Sequence, residues 1–190
     1  TWDAPNWLVG AAAEQASTRN AVCLCDQTSF SKYLVVGRDA EAALQWLCTA
    51  DVAVPIGKAV YTGMLNARGT YEADVTVTRT GAHEFLVVSG AASTERDKDH
   101  VRRNLPSAHT DAHIVDVTSA YAVFGVMGPR SRDLLSALTD ADLSDAAFGF
   151  GTSRLLSLGY ATVRATRITY VGELGWELYV PTEFAVGVYE

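Results

Sequence analysis

Short apolar runs broken by glycine, proline and asparagine dominate the chain, and few of them keep a helical period. Ala21 to Asp26 and Tyr33 to Val36 read as short buried strands, the second stopped by Gly37. Asp39 is placed to cap a helix running to about Ala50, because Ala40, Ala43, Leu44 and Leu47 recur at helical spacing. Val52 to Gly57 is a turn region. The clearest hairpin follows, with Ala59 to Leu65 as one strand, Asn66-Ala67-Arg68-Gly69 as the turn and Tyr71 to Arg79 as the return. That return strand alternates, with Ala73, Val75 and Val77 on one face and Glu72, Asp74, Thr76 and Thr78 on the other. Phe85 to Ser89 is a further strand, and a charged helix from about Thr94 to Leu105 ends at Pro106.

A similar succession begins at His113. His113 to Val117 and Tyr121 to Met127 read as strands, and Gly128-Pro129 opens a helix with proline at its first position, where a missing N–H is harmless. After a loop rich in Asp, Ala and Gly, Arg164 to Val171 and Trp176 to Val180 form a hairpin around Gly172-Glu173-Leu174-Gly175, and Thr182 caps a last helix. The first twenty residues read as irregular. Hairpins outnumber any strand–helix–strand series, so the fold class is α+β, with largely antiparallel sheets, flanking helices and two interlocked subdomains without a linker.

Composition narrows the functions. The 190 residues are 48% apolar and 19% charged, which excludes disorder, and such a length buries roughly 70% of the unfolded surface. A net charge of −7 argues against a nucleic-acid surface, and no apolar run approaches the roughly 20 residues that span a bilayer. Three cysteines are too few and too odd for a disulfide scaffold, which points to a reducing compartment: the cytoplasm, or a mitochondrial matrix in a eukaryote. The chain starts mid-stride at Thr1-Trp2 and stops at Val188-Tyr189-Glu190 inside an expected helix, so it is expected to be a piece of something longer, cut at both ends.

Few residues carry a chemical signal by pattern alone. Cys23 and Cys25 share one strand face but lack further ligands, and the histidines at 83, 100, 109 and 113 show no pairing, so buried structural thiols and no metal site are expected. Asp74 stands in an apolar and β-branched strand, where a carboxylate is costly to desolvate. Either its face is open to water, as Glu72 and the threonines beside it favour, or it lines a pocket. Arg167 through Glu177 crowds Tyr170, Trp176, an arginine and two carboxylates around a glycine-punctuated turn. By pattern that is equally a charged hairpin tip.

These residues resemble a known family. Tyr170-Val171-Gly172-Glu173-Leu174-Gly175-Trp176-Glu177 is similar to the signature of the aminomethyltransferase (glycine cleavage T-protein) folate-binding family. Val60-Tyr61-Thr62-Gly63-Met64-Leu65-Asn66 through Asp74, Gly125 to Arg132, and Asp26 to Tyr33 agree in order along the chain. The branch most resembled is the C-terminal folate region of dimethylglycine and sarcosine dehydrogenases, since Ala73 precedes Asp74 where free-standing T-proteins carry paired aspartates, and Gly90 stands where they tend to carry Asn.

The resemblance implies a partial folate-binding domain over residues 1–190. An FAD-dependent oxidase domain would precede it and a further barrel segment would follow. The implied activity is capture of a one-carbon unit by tetrahydrofolate from an iminium derived from an N-methyl amine, giving methylenetetrahydrofolate. FAD would belong only to the absent oxidase part. On this resemblance Asp74 is the catalytic carboxylate, Glu177 binds the pterin, Tyr61 and Tyr170 wall it, and Arg167 holds one of the carboxylates while Glu173 shapes the turn. A free-standing aminomethyltransferase or folate-dependent demethylase, and a non-catalytic folate-binding or structural module, are the alternatives.

Overall fold

The computed structural model describes residues 5–105 and 111–190, so Pro106 and His109 lie outside the described residues. The chain divides into two units. The first comprises residues up to Gln27, Ala122–Phe150 and Arg154–Glu190; the second comprises Thr28–Tyr121 and Gly151–Ser153. Each holds one five-stranded sheet, as the α+β expectation required.

In the second unit, β2 (Ser31–Val36) is followed by α2 (Ala40–Leu47), β3 (Ala59–Leu65), β4 (Tyr71–Gly81), β5 (Glu84–Ser89), α3 (Thr94–Asn104) and β6 (His113–Asp116). The sheet order is β3-β4-β5-β2-β6, antiparallel at every contact. Helix α2 stops three residues short of Ala50, and Asp39 makes no side-chain capping bond. Tyr33, Val35, Ala73, Val75, Val77, Phe85 and Val87 line one sheet face and bury Leu44 and Leu47 of α2 and Val101 of α3 against it. Lys98 of α3 is also buried, at 3% exposure. Its Nζ donates to Asp116 Oδ2 (2.5 Å) and Glu95 Oε1 (2.7 Å), so the cation is neutralised where it is desolvated.

The first unit contributes α1 (Leu8–Asn20), β1 (Cys23–Asp26), β7 (Tyr121–Met127), α4 (Ser131–Ser136), β8 (Ser153–Leu158), β9 (Ala161–Thr166), β10 (Gly175–Pro181) and α5 (Ala185–Tyr189). The sheet order is β1-β7-β10-β9-β8, with the β1–β7 and β9–β10 pairs antiparallel. Its core gathers Trp176, Leu178 and Val180 of β10, Ala122, Phe124 and Val126 of β7, and Leu135, Phe148, Leu156, Leu158 and Val163.

Three further features of this unit differ from the sequence expectation. Residues 8–20 form a helix none of whose side chains is buried; alanine-rich propensity builds it without an apolar stripe. Strand β8 occupies part of the expected loop, burying Leu156 and Leu158 in alternation. Helix α4 begins at Ser131, so Pro129 lies in the turn before it. Gly128 makes that turn at φ +130°, where a Cβ would meet the Ala21 carbonyl at 2.4 Å. No described helix is long and apolar enough to cross a membrane.

Asp116 is held at about 2, below its usual 3.8, first by the Lys98 hydrogen bond and then by the Thr118 backbone N–H. A depressed carboxyl stabilises the fold above its unfolded value and loses that contribution as pH falls through the folded value. Denaturant unfolding should therefore show wild-type stability dropping between about pH 4 and 2, and Asp116→Asn should flatten that part of the profile. An unchanged acid limb in the variant would refute the assignment.

Candidate functional site

In the second unit, the β3–β4 register sets Gly63 opposite Asp74 and Tyr61 opposite Thr76, which puts Tyr61 and Asp74 diagonally on one face. The Tyr61 hydroxyl donates to Asp74 Oδ2 at 2.9 Å. That bond, and the charge behind it, hold the Tyr61 phenol above its ordinary range. Both side chains are exposed, Tyr61 by 69%. The hairpin is pinned by Asn66, whose Oδ1 accepts from Arg68 N (2.9 Å) and whose Nδ2 donates to Thr70 Oγ1 (2.7 Å) and Glu72 Oε1 (2.6 Å). Glu72, the other acid on the Asp74 face by pattern, is thereby tied to the turn.

A register shift between Met64 and Leu65 carries Tyr71 across the hairpin, and its ring lies over Gly63. A Cβ there would sit 2.4 Å from the Tyr71 Cζ. Strict alternation could not show this, because the bulge breaks it. The visible signal was a glycine inside a strand, which marks close approach by another group.

In the first unit, burying Trp176 and Leu178 turns Gly175, Glu177 and Tyr179 to the opposite face of β10. Glu177 is 9% exposed and Tyr179 is 2% exposed. The Tyr179 hydroxyl donates to Glu177 Oε2 at 2.7 Å, and no other hydrogen bond reaches this carboxylate among the described residues. Burial pushes the Glu177 carboxyl up, and the Tyr179 bond opposes that shift. Gly175 abuts Met127, so β7 presents Met127 and Gly125 on this same face. Gln27, 6% exposed, lies against Gly125, and its Oε1 is buried without a hydrogen-bond partner. It went unnoticed in the sequence, where an isolated glutamine carries no pattern.

Arg167 and Tyr170 lie in the segment between β9 and β10, a longer loop than the expected four-residue turn. The role expected for Arg167, holding a ligand-binding carboxylate, meets a different geometry. Its guanidinium pairs with Asp145 (2.6 Å), donates to the Phe148 carbonyl (2.7 Å) and stacks 5.5 Å from the Trp176 ring. Arg132 reaches the same Asp145 and the same indole. Arg167 thus anchors the loop over the core. Tyr170 has its backbone N–H 3.5 Å from Met127 Sδ and its side chain 76% exposed. Glu173 pairs with Arg19 (2.8 Å), which also donates to Val171 O, and Gly172 turns the chain at φ +84°. Among the described residues, no group of three or more His, Cys, Asp or Glu is placed to hold a metal.

Asp74 with Tyr61 and Glu177 with Tyr179 are the two carboxylate centres. The model of the GCVT N-terminal domain matches residues 1–190. The chain belongs to the GCVT N-terminal domain family. It is 39% identical over 184 residues to the 4-methylaminobutanoate oxidase (formaldehyde-forming) of Paenarthrobacter nicotinovorans, covering 97% of this chain and 22% of the oxidase. It is 36% identical over 189 residues to the mitochondrial sarcosine dehydrogenase of Homo sapiens, covering 93% and 21%. This GCVT N-terminal domain thus spans about a fifth of the length of these relatives. The crystal structure of the glycine cleavage system aminomethyltransferase T of Bartonella henselae superposes with TM-score 0.80 at 22% identity, over 93% of this chain and 46% of that one, and shows the same fold.

The buried Glu177 gives a test. A carboxyl raised above its unfolded value of 4.5 favours the fold below that value and loses the contribution as pH rises through the folded one. Glu177→Gln keeps an acceptor for Tyr179 and removes the charge. The variant should gain on wild type in chemical denaturation as pH rises above the unfolded carboxyl value. A variant less stable than wild type at pH 7 would show that the carboxylate is satisfied in place.

Proposed function

We propose that this chain is the tetrahydrofolate-binding region of an FAD-dependent dimethylglycine- or sarcosine-dehydrogenase-like enzyme of the cytoplasm or mitochondrial matrix, and that it captures a one-carbon unit from an iminium intermediate. The observation that carries this reading is the unspent acceptor capacity on one face of the first sheet. Glu177 is buried with one hydrogen bond, and Gln27 Oε1 is buried with none. Acceptors in that condition suit a ligand edge rich in N–H donors, such as the 2-aminopyrimidine edge of a pterin. The residues present therefore fit the group. When bound, tetrahydrofolate supplies the nucleophilic N5 and N10 that take up the one-carbon unit as methylenetetrahydrofolate.

The chain's own residues divide the remaining work. Glu177 accepts from the ligand's donors and fixes its orientation, while Tyr179 holds that carboxylate in one rotamer. Tyr61 does the same for Asp74 across the hairpin, leaving Oδ1 to accept a proton from a reacting amine or to face a cationic intermediate. The exposed rings of Tyr61, Tyr71 and Tyr170 are aromatic surface available for stacking. Arg167 acts on the loop that carries Tyr170.

In the full-length enzyme, calorimetry with tetrahydrofolate should show Glu177→Gln weakening binding tenfold or more. Asp74→Asn should change binding by less than threefold and slow one-carbon transfer by about 10²–10⁴. Transfer at the wild-type rate in Asp74→Asn would remove the catalytic role and leave a binding module. Wild-type affinity in Glu177→Gln would remove the pterin assignment.

A further inference from the structure

Cys23 and Cys25 lie on β1, the edge strand of the first sheet, with a register that sets Cys23 opposite Met127 and Cys25 opposite Gly125. Being two apart they share a face, and their sulfurs approach to 3.5 Å, within hydrogen-bonding distance. Both are half-buried rather than sealed in a core, unlike the structural thiols the sequence led us to expect. Opposite Cys25 stands Gly125, and the space a side chain would take there is filled by the Gln27 amide and the Met127 methyl. Met127 opposite Cys23 is fully buried.

We propose that Cys23 and Cys25 form a reactive dithiol site that exchanges with low-molecular-weight disulfides and closes reversibly into an intrastrand disulfide. In the first step the Cys23 thiolate attacks one sulfur of the small disulfide; a new S–S bond forms and one small thiolate leaves. Cys25 then loses its proton to solvent and attacks the Cys23 sulfur, expelling the second small thiolate. The two protein thiols are oxidised by two electrons, and the small disulfide is reduced to two thiols. Burial, the larger effect, and the adjacent Cys23 sulfur raise the Cys25 thiol to about 11; capping Cys23 removes only the sulfur's part, so Cys25 is the slower, resolving thiol. Closure draws the sulfurs from 3.5 Å to about 2.05 Å. Alternate residues of a strand are about 6.6–6.8 Å apart at Cα, the upper end of what a disulfide tolerates, so the closed form is strained and readily reduced. That makes the site reversible. The inference stands on the geometry of β1 and does not depend on which ligand the sheet binds.

Trypsin separates the two thiol regions, since Asn20 to Lys32 carries Cys23 and Cys25 while Asp39 to Lys58 carries Cys48. The native full-length protein is treated with glutathione disulfide, quenched by alkylation, digested and mapped by mass spectrometry. The Asn20–Lys32 peptide should lose two hydrogen masses, tenfold or more faster than Cys48 is modified, and dithiothreitol should restore it. Cys25→Ser should accumulate a lasting glutathione adduct on Cys23, because no resolving thiol remains. The inference is overturned if the wild-type peptide keeps both thiols free, if it ends only as glutathione adducts, or if Cys48 reacts as fast.

Discussion

Burying Trp176 decides where Glu177 goes. In a strand successive side chains leave on opposite faces, so committing Trp176, Leu178 and Val180 to the core of the first unit forces Gly175, Glu177 and Tyr179 to the other side. The core residue is itself held hard, with Phe148 against its edge and two guanidinia over its ring, both ion-paired to the single carboxylate of Asp145. A one-residue slip would move Glu177 into the apolar core and take the indole out of its contacts with Phe148 and the two guanidinia, a penalty large enough to fix the register.

The second unit reaches a similar end by different means. Asp74 is aligned by hairpin register, turn chemistry at Asn66 and a bulge, and it stays in contact with water. In both units a tyrosine hydroxyl donates to the candidate carboxylate, but the electrostatic settings are opposed. The Glu177 carboxyl sits in a desolvated place that disfavours its charge. The Asp74 carboxylate is exposed to water. One centre is suited to gripping a donor-rich ligand, the other to a group that must exchange protons.

Short apolar runs closed by turn residues were legible in the sequence. The bounds of β3 and β7 agree with the pattern, because each is a largely apolar run of seven residues that ends where turn residues begin. Helix α1 escaped because nothing in it is buried, leaving propensity alone to build it. Strand β8 escaped because its neighbouring loop is compositionally similar to its flanks. At the site, the resemblance nominated Asp74 and Glu177, and pattern alone left both open to bland readings. The partner of Arg167 is Asp145, far away along the chain, and the ring over Gly63 depends on a bulge. Both are products of tertiary structure, which local spacing does not encode.

The division of the chain has a consequence for how it emerges from the ribosome. The second sheet draws all its strands from residues 31–116, so its pairings can close as soon as that stretch is synthesised, with Gly151–Ser153 added later through the Lys58–Thr152 bridge. The first sheet cannot. Its β1 waits for β7, and β7 waits for β10 on its other flank, so the earliest-made strand spends the longest time with an open edge. Nascent β1 is therefore the stretch of this chain most in need of protection during synthesis, and it is the stretch that carries two cysteines.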